Sequence, residues 1–165
     1  MPFRFETPYL DLEIYRLLTI LEASPALAGF DGGELDKLKV ESLREWEFPE
    51  ISRIVVSLAA IIRSSWEAHP VSDRDPFYRP ALMRRVGSLV PDLENSQEQE
   101  PLDFREACNK VIHAKSVEPE TAPAIQGTSP PLTGRLVLYG NYREKEWRAD
   151  LDLKEYAFSA LTLNP

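Results

Sequence analysis

Apolar residues return every three or four positions between Tyr9 and Leu27, where Leu10, Ile14, Leu17, Leu18 and Leu21 form one stripe and predict a first helix. Pro25 and the glycines between Gly29 and Gly33 supply its stop and a turn. Leu35, Leu38 and Leu43 then fall on a short amphipathic piece. Pro49 suits the first turn of the next helix, where its missing amide donor costs little, and Glu50 adds negative charge near that helix start. Ile51, Ile54, Val55, Leu58, Ile61, Ile62 and Trp66 make the strongest apolar face in the chain, so this helix is expected at the centre of the fold.

His69-Pro70 marks a boundary, and DRDPFYRP at 73–80 reads as an ordered loop. A shorter helix is expected from Pro80 to Leu89, anchored by Leu82, Val86 and Leu89, before a polar, mobile connection over 92–101. Asp103 followed by Glu106 fits a capping box, with Phe104, Cys108, Val111 and Ile112 as the apolar stripe behind it. The proline-rich stretch 116–131 ends that helix and reads as a long connection. Near Leu132 the period falls to two: Leu136 and Leu138 alternate with Val137 and Tyr139, and Trp147, Ala149 and Leu151 share one face of a partner strand. These strands are expected to turn around Gly140-Asn141, and Asp152 to cap a final helix packed through Tyr156, Ala157, Ala160 and Leu161. An isolated hairpin is marginal, so it must lean on the helices or gain strands from elsewhere. The pattern as a whole predicts a single α+β domain over 1–165: a predominantly helical bundle with a C-terminal β-hairpin and a short terminal helix.

Composition narrows the function classes. A chain of 165 residues with 43% hydrophobic and 28% charged residues can bury a real core. Lysine and arginine total 19 against 27 acidic residues, a formal charge of −8, which disfavours a broad nucleic-acid surface and leans toward protein partners. One cysteine, Cys108, makes no internal disulfide, and two histidines with one cysteine offer little to a protein-only zinc site, so neither metal nor cofactor is expected. The start, MPFRFETPYLDLE, has no basic stretch leading into an apolar run, and the span from Ile51 to Trp66 is too interrupted to cross a bilayer. A soluble, cytoplasmic protein without membrane contact is expected. Phosphate-loop, dinucleotide, zinc-protease and EF-hand motifs are absent from the sequence.

The most informative chemistry lies in DFREACNKVIHA, residues 103–114. On a helix, Arg105, Asn109 and His113 recur at i+4 and form one polar ridge about 12 Å long. Arginine can stabilise phosphoryl charge, histidine can exchange a proton, and asparagine can position a substrate or the imidazole. The same ridge serves equally well as a structural hydrogen-bonding surface.

This segment resembles the Arg and His helix motif of HEPN domains, helical bundles that include metal-independent ribonucleases and inactive relatives. Arg105 matches the arginine and His113 the histidine, separated by seven residues where the family commonly has four to six, with Asn109 as a supporting polar group. The resemblance implies a homodimer that brings two ridges around RNA. It also implies attack by a ribose 2'-hydroxyl on the adjacent phosphate without metal.

Elsewhere, His69 reads as a helix-end residue and Cys108 as a small core residue. Arg74, Arg79, Arg84 and Arg85 interleave with Phe77 and Tyr78 in the best basic and aromatic patch, suited to supporting a loop or binding a protein. Trp66 continues the central stripe, whereas Trp147 fits either hairpin packing or a protein interface, which its exposure would decide. Two function classes therefore stand: a protein-interaction or regulatory domain with an unknown protein partner or a second copy of itself, and a HEPN-like endoribonuclease acting on RNA.

Overall fold

The computed structural model describes residues 7–68, 78–124 and 128–163. Within them the chain forms α1 (Thr7–Ala28), α2 (Glu34–Arg44), α3 (Glu47–Ala68), α4 (Tyr78–Leu82), β1 (Arg85–Val90), β2 (Glu100–Asp103), α5 (Phe104–His113), β3 (Ser116–Thr121), β4 (Leu132–Tyr142), β5 (Lys145–Asp152) and α6 (Leu153–Thr162). The architecture is α+β, and the C-terminal hairpin with its short terminal helix is in place as β4, β5 and α6.

The hairpin gains three strands. All five form one antiparallel sheet in the order β2-β1-β5-β4-β3, so β5 is central, between β1 and β4. Side chains alternate across it: Leu136, Leu138, Trp147, Ala149 and Leu151 are buried, whereas Arg148 and Asp150 are half-buried and paired at 2.6 Å. The inner face shares one core with the apolar stripes of α1, α3, α5 and α6. Tyr156 of α6 sits fully buried in that core, its ring 5.0 Å from Phe104 and its hydroxyl donating to the Val55 carbonyl at 3.3 Å. Asp103 and Asp152 cap α5 and α6, accepting from Glu106 N at 2.8 Å and from Lys154 N and Glu155 N at 3.0 and 3.1 Å, while the Glu106 carboxylate that was to complete the capping box turns to Asn109 and Lys110 instead.

Cys108 is buried beside the Tyr156 hydroxyl, 3.7 Å away, and burial pushes its thiol up to about 12. At pH 8 a thiol with that value is about 10⁻⁴ ionised, against about a quarter for an ordinary unfolded cysteine. Native protein is therefore expected to resist a thiol reagent at pH 8 and to react with one equivalent in denaturant. Rapid stoichiometric labelling of the folded protein would contradict this burial.

Four expectations are corrected. The helix expected over Pro80–Leu89 ends at Leu82, and Arg85–Val90 is a strand. The register slips between Arg85 and Gly87 opposite β2, and this bulge leaves both Val86 and Leu89 buried, which imitates helical spacing. A Cβ at Gly87 would collide with the Asp150 carbonyl oxygen, so glycine lets β1 and β5 approach there. The connections read over 92–101 and 116–131 carry a 3-10 turn at Leu93–Asn95 and the edge strands β2 and β3, whose prolines Pro101 and Pro119 hid the strand pattern. Helix α1 runs through Pro25 for one more turn, to Ala28. Finally, the hairpin turns at Arg143-Glu144, three residues beyond the glycine that suggested the turn. Gly140 is inside β4, opposite Trp147, and its missing side chain leaves room for the indole.

Two buried polar networks tie the helices together. Glu13 is fully buried on α1, accepting from Arg16 at 3.0 Å and from Arg53 of α3 at 2.7 Å. Ser24 donates to Glu47 Oε2 at 2.8 Å and accepts from Leu132 N at 3.1 Å, joining α1, α3 and β4.

Candidate functional site

The sequence-derived ridge on α5 divides. Asn109 and His113 line a cavity of about 590 Å3 together with Arg63, Glu106, Lys110, Asn141, Tyr142 and Trp147. Arg105 is exposed and does not line it; its guanidinium lies 5.9 Å from the centroid of the Trp66 ring. The arginine beside the histidine is instead Arg63, near the end of α3.

The Arg63 guanidinium carries only donors, and its NH1 lies 3.1 Å from His113 Nε2, to which it donates. The other side of the same guanidinium donates from Nε to Glu67 at 2.8 Å, so the group is clamped from two directions. On α5, Glu106 accepts from Asn109 at 3.2 Å and pairs with Lys110 at 3.3 Å, a consequence of i+3 and i+4 spacing on one helical face. The Lys110 ammonium lies 4.5 Å from the centroid of the Trp147 ring, a cation–π contact that holds it against the cavity floor.

Asn141 and Tyr142 come from the end of β4, where the chain reverses through Arg143 (φ 48°) and Glu144 (φ 69°). Both residues occupy the left-handed region that a two-residue turn of this type needs and that asparagine or glycine normally fills. Neither is asparagine or glycine, which is why the turn was invisible in the sequence. Tyr142 is 63% exposed, with the Arg143 guanidinium 5.1 Å from its ring centroid.

The remaining candidates fall differently. Trp147 is only 2% exposed, so its interface reading is corrected to hairpin packing: it covers Gly140 and leaves almost no area for a partner. Phe77, Arg74 and His69 lie outside the described residues, and Tyr78 opens α4 without a described side chain. Arg84 bonds Glu155 at 2.7 and 3.0 Å, and Arg85 donates to the Gly87 carbonyl at 3.1 Å, so these two serve local structure. Among the described residues no group of three His, Cys, Asp or Glu side chains is arranged to hold a metal.

A second surface lies on α2, which is packed the opposite way from an ordinary amphipathic helix. Its buried residue is Arg44, whereas Leu35, Leu38 and Leu43, with Trp46 just beyond, are 64% to 71% exposed. The inversion has a polar cause. Arg44 donates from NH1 to the Ser129 carbonyl at 2.7 Å and from NH2 to the Pro130 carbonyl at 2.9 Å, and pairs with Glu41 at 3.0 Å and Glu47 at 3.6 Å. Glu41 also accepts from Ser129 N; the hydrogen bonding to Ser129 holds its carboxyl below the ordinary value, helped by Arg44. With Arg44 and Glu41 bonded inward to residues 129 and 130, the helix turns its leucines out. Glu34, Asp36 and Glu45 are exposed along the same segment.

No helix among the described residues is long and apolar enough to cross a membrane. No protein-family model matches the chain, and no curated protein or solved structure matches it either.

Proposed function

We propose that this chain is a protein-interaction domain whose docking surface is the outward face of α2. The observation that carries the reading is the inversion itself: Arg44 is buried while four large apolar side chains in and beside one helix stand at least 64% exposed. Water-facing leucines at helical spacing are the usual landing strip for a partner's amphipathic segment. Exposed Glu34, Asp36 and Glu45 outnumber Lys37 and Lys39 along this segment and, on a chain of net charge −8, favour a partner whose apolar anchors are flanked by lysine or arginine. The same charges oppose an anionic membrane and a second copy, which would set acid against acid.

The test compares affinity-purified wild-type protein from its native cells with Leu38→Glu and, as control, Met83→Glu, which alters an exposed apolar residue elsewhere. The expected result is one identified partner with a basic-flanked apolar segment, retained by wild type and the control and weakened at least tenfold by Leu38→Glu in reconstitution. Equal retention by all three proteins, or no such partner, overturns the reading.

The metal-independent ribonuclease is the second reading, favoured by Asn109 and His113 lining one cavity. In it His113 moves a proton and Arg63, rather than Arg105, steadies the phosphate. RNA cleavage with divalent metal chelated, lost in His113→Ala, supports it; undiminished cleavage in that variant, or none by wild type, removes it.

A further inference from the structure

We propose that the cavity between α3, α5 and the β4–β5 turn binds a phosphomonoester bearing a planar ring, a ligand of the nucleoside-monophosphate class. This inference needs neither a partner on α2 nor cleavage of RNA.

The phosphate end follows from Arg63, His113, Asn109 and Lys110, which reach one cavity from two helices. A guanidinium held at one nitrogen by Glu67 and at another by His113 is fixed before a ligand arrives, so little side-chain freedom is lost on binding. Glu106, the acid among the described residues that line the cavity, accepts from Asn109 and pairs with Lys110.

The ring end follows from size and from the opposite wall. A volume of about 590 Å3 is far more than one phosphate fills, and within the usual range for small-molecule sites. Tyr142 offers an exposed aromatic face, and Asn141 an amide with both donor and acceptor for a heterocycle edge. The turn that presents them keeps two non-glycine residues at positive φ, a cost that persists where the surrounding structure requires that position. A polynucleotide fits less well, because each phosphate beyond the cavity would meet a chain of net charge −8.

Calorimetric titration of the full chain at near-physiological salt tests this, with adenosine monophosphate as the probe and inorganic phosphate and adenosine as its two halves. Saturable one-site binding of the monophosphate is expected, weaker binding of phosphate, and none of adenosine. Arg63→Ala should weaken the monophosphate at least tenfold, and Arg63→Lys should fail to restore it. Tyr142→Ala should weaken the monophosphate while leaving phosphate unchanged, and Lys39→Ala, at an exposed lysine of α2 that does not line the cavity, should change neither. Thermal unfolding establishes that each variant is folded. Absence of saturable binding by wild type, monophosphate affinity unchanged in Arg63→Ala and His113→Ala, or binding of single-stranded RNA without the monophosphate would each overturn the proposal.

Discussion

Arg44→Ala is expected to release α2 from the body of the protein, with a loss of about 3–5 kcal/mol where the unpaired groups cannot rehydrate. The side chain is 4% exposed, and removing it strips the Ser129 and Pro130 carbonyls of their donor and leaves Glu47, 9% exposed, without its cation. Arg44→Lys is not expected to rescue, because one ammonium does not reproduce a fork that reaches two successive carbonyls. Urea unfolding together with hydrogen exchange of the α2 amides reads the effect, as lower global stability or as fast exchange confined to α2. A loss below about 1 kcal/mol with unchanged exchange would mean that α2 is held by something other than this network. Acid should act in the same direction. Glu41 is held below its ordinary value of 4.5, so its contribution is present above that pH and is lost as pH falls through the depressed folded value.

Phe104→Ala should cost about 3–5 kcal/mol, measured by urea denaturation. Phe104 is completely buried at the junction of β2 and α5, its amide donates to the Arg84 carbonyl at 2.9 Å, and its ring packs on Tyr156. The cavity left would sit in the core where sheet, α5 and α6 meet. Phe104→Leu, which keeps most of the volume, should cost about 1–2 kcal/mol. A cost below about 1 kcal/mol for the alanine variant would contradict this packing.

The legible parts of this fold are those in which one element alone carries the signal. The stripes of α1 and α3, the Asp103 and Asp152 caps, and the alternation of Leu136, Leu138, Trp147, Ala149 and Leu151 are local patterns, and each element formed where its pattern lay. The missed strands have identifiable disguises. In β1 the bulge before Gly87 gave Val86 and Leu89 a helix-like spacing, and β2 and β3 are edge strands, whose short length and prolines resemble connections. The candidate cavity was half legible. Asn109 and His113 share a helix face and could be paired by spacing, but Arg63 and Tyr142 reach them from α3 and from a turn whose residues carry no turn signal. The outward face of α2 was hidden for a different reason: Leu35, Leu38 and Leu43 look like core positions, and the long-range bonds of Arg44 and Glu41 to residues 129 and 130 reverse the helix.

That reversal is the centre of the functional account, and site-specific photo-crosslinking tests it most directly. A photoreactive side chain placed at position 38 of the full chain, with the same side chain at position 83 as control, is activated in native cells. One discrete adduct is expected from position 38, absent from position 83, whose crosslinked peptide carries apolar anchors between basic residues. No adduct, or the same heterogeneous products from both positions, would contradict docking on α2.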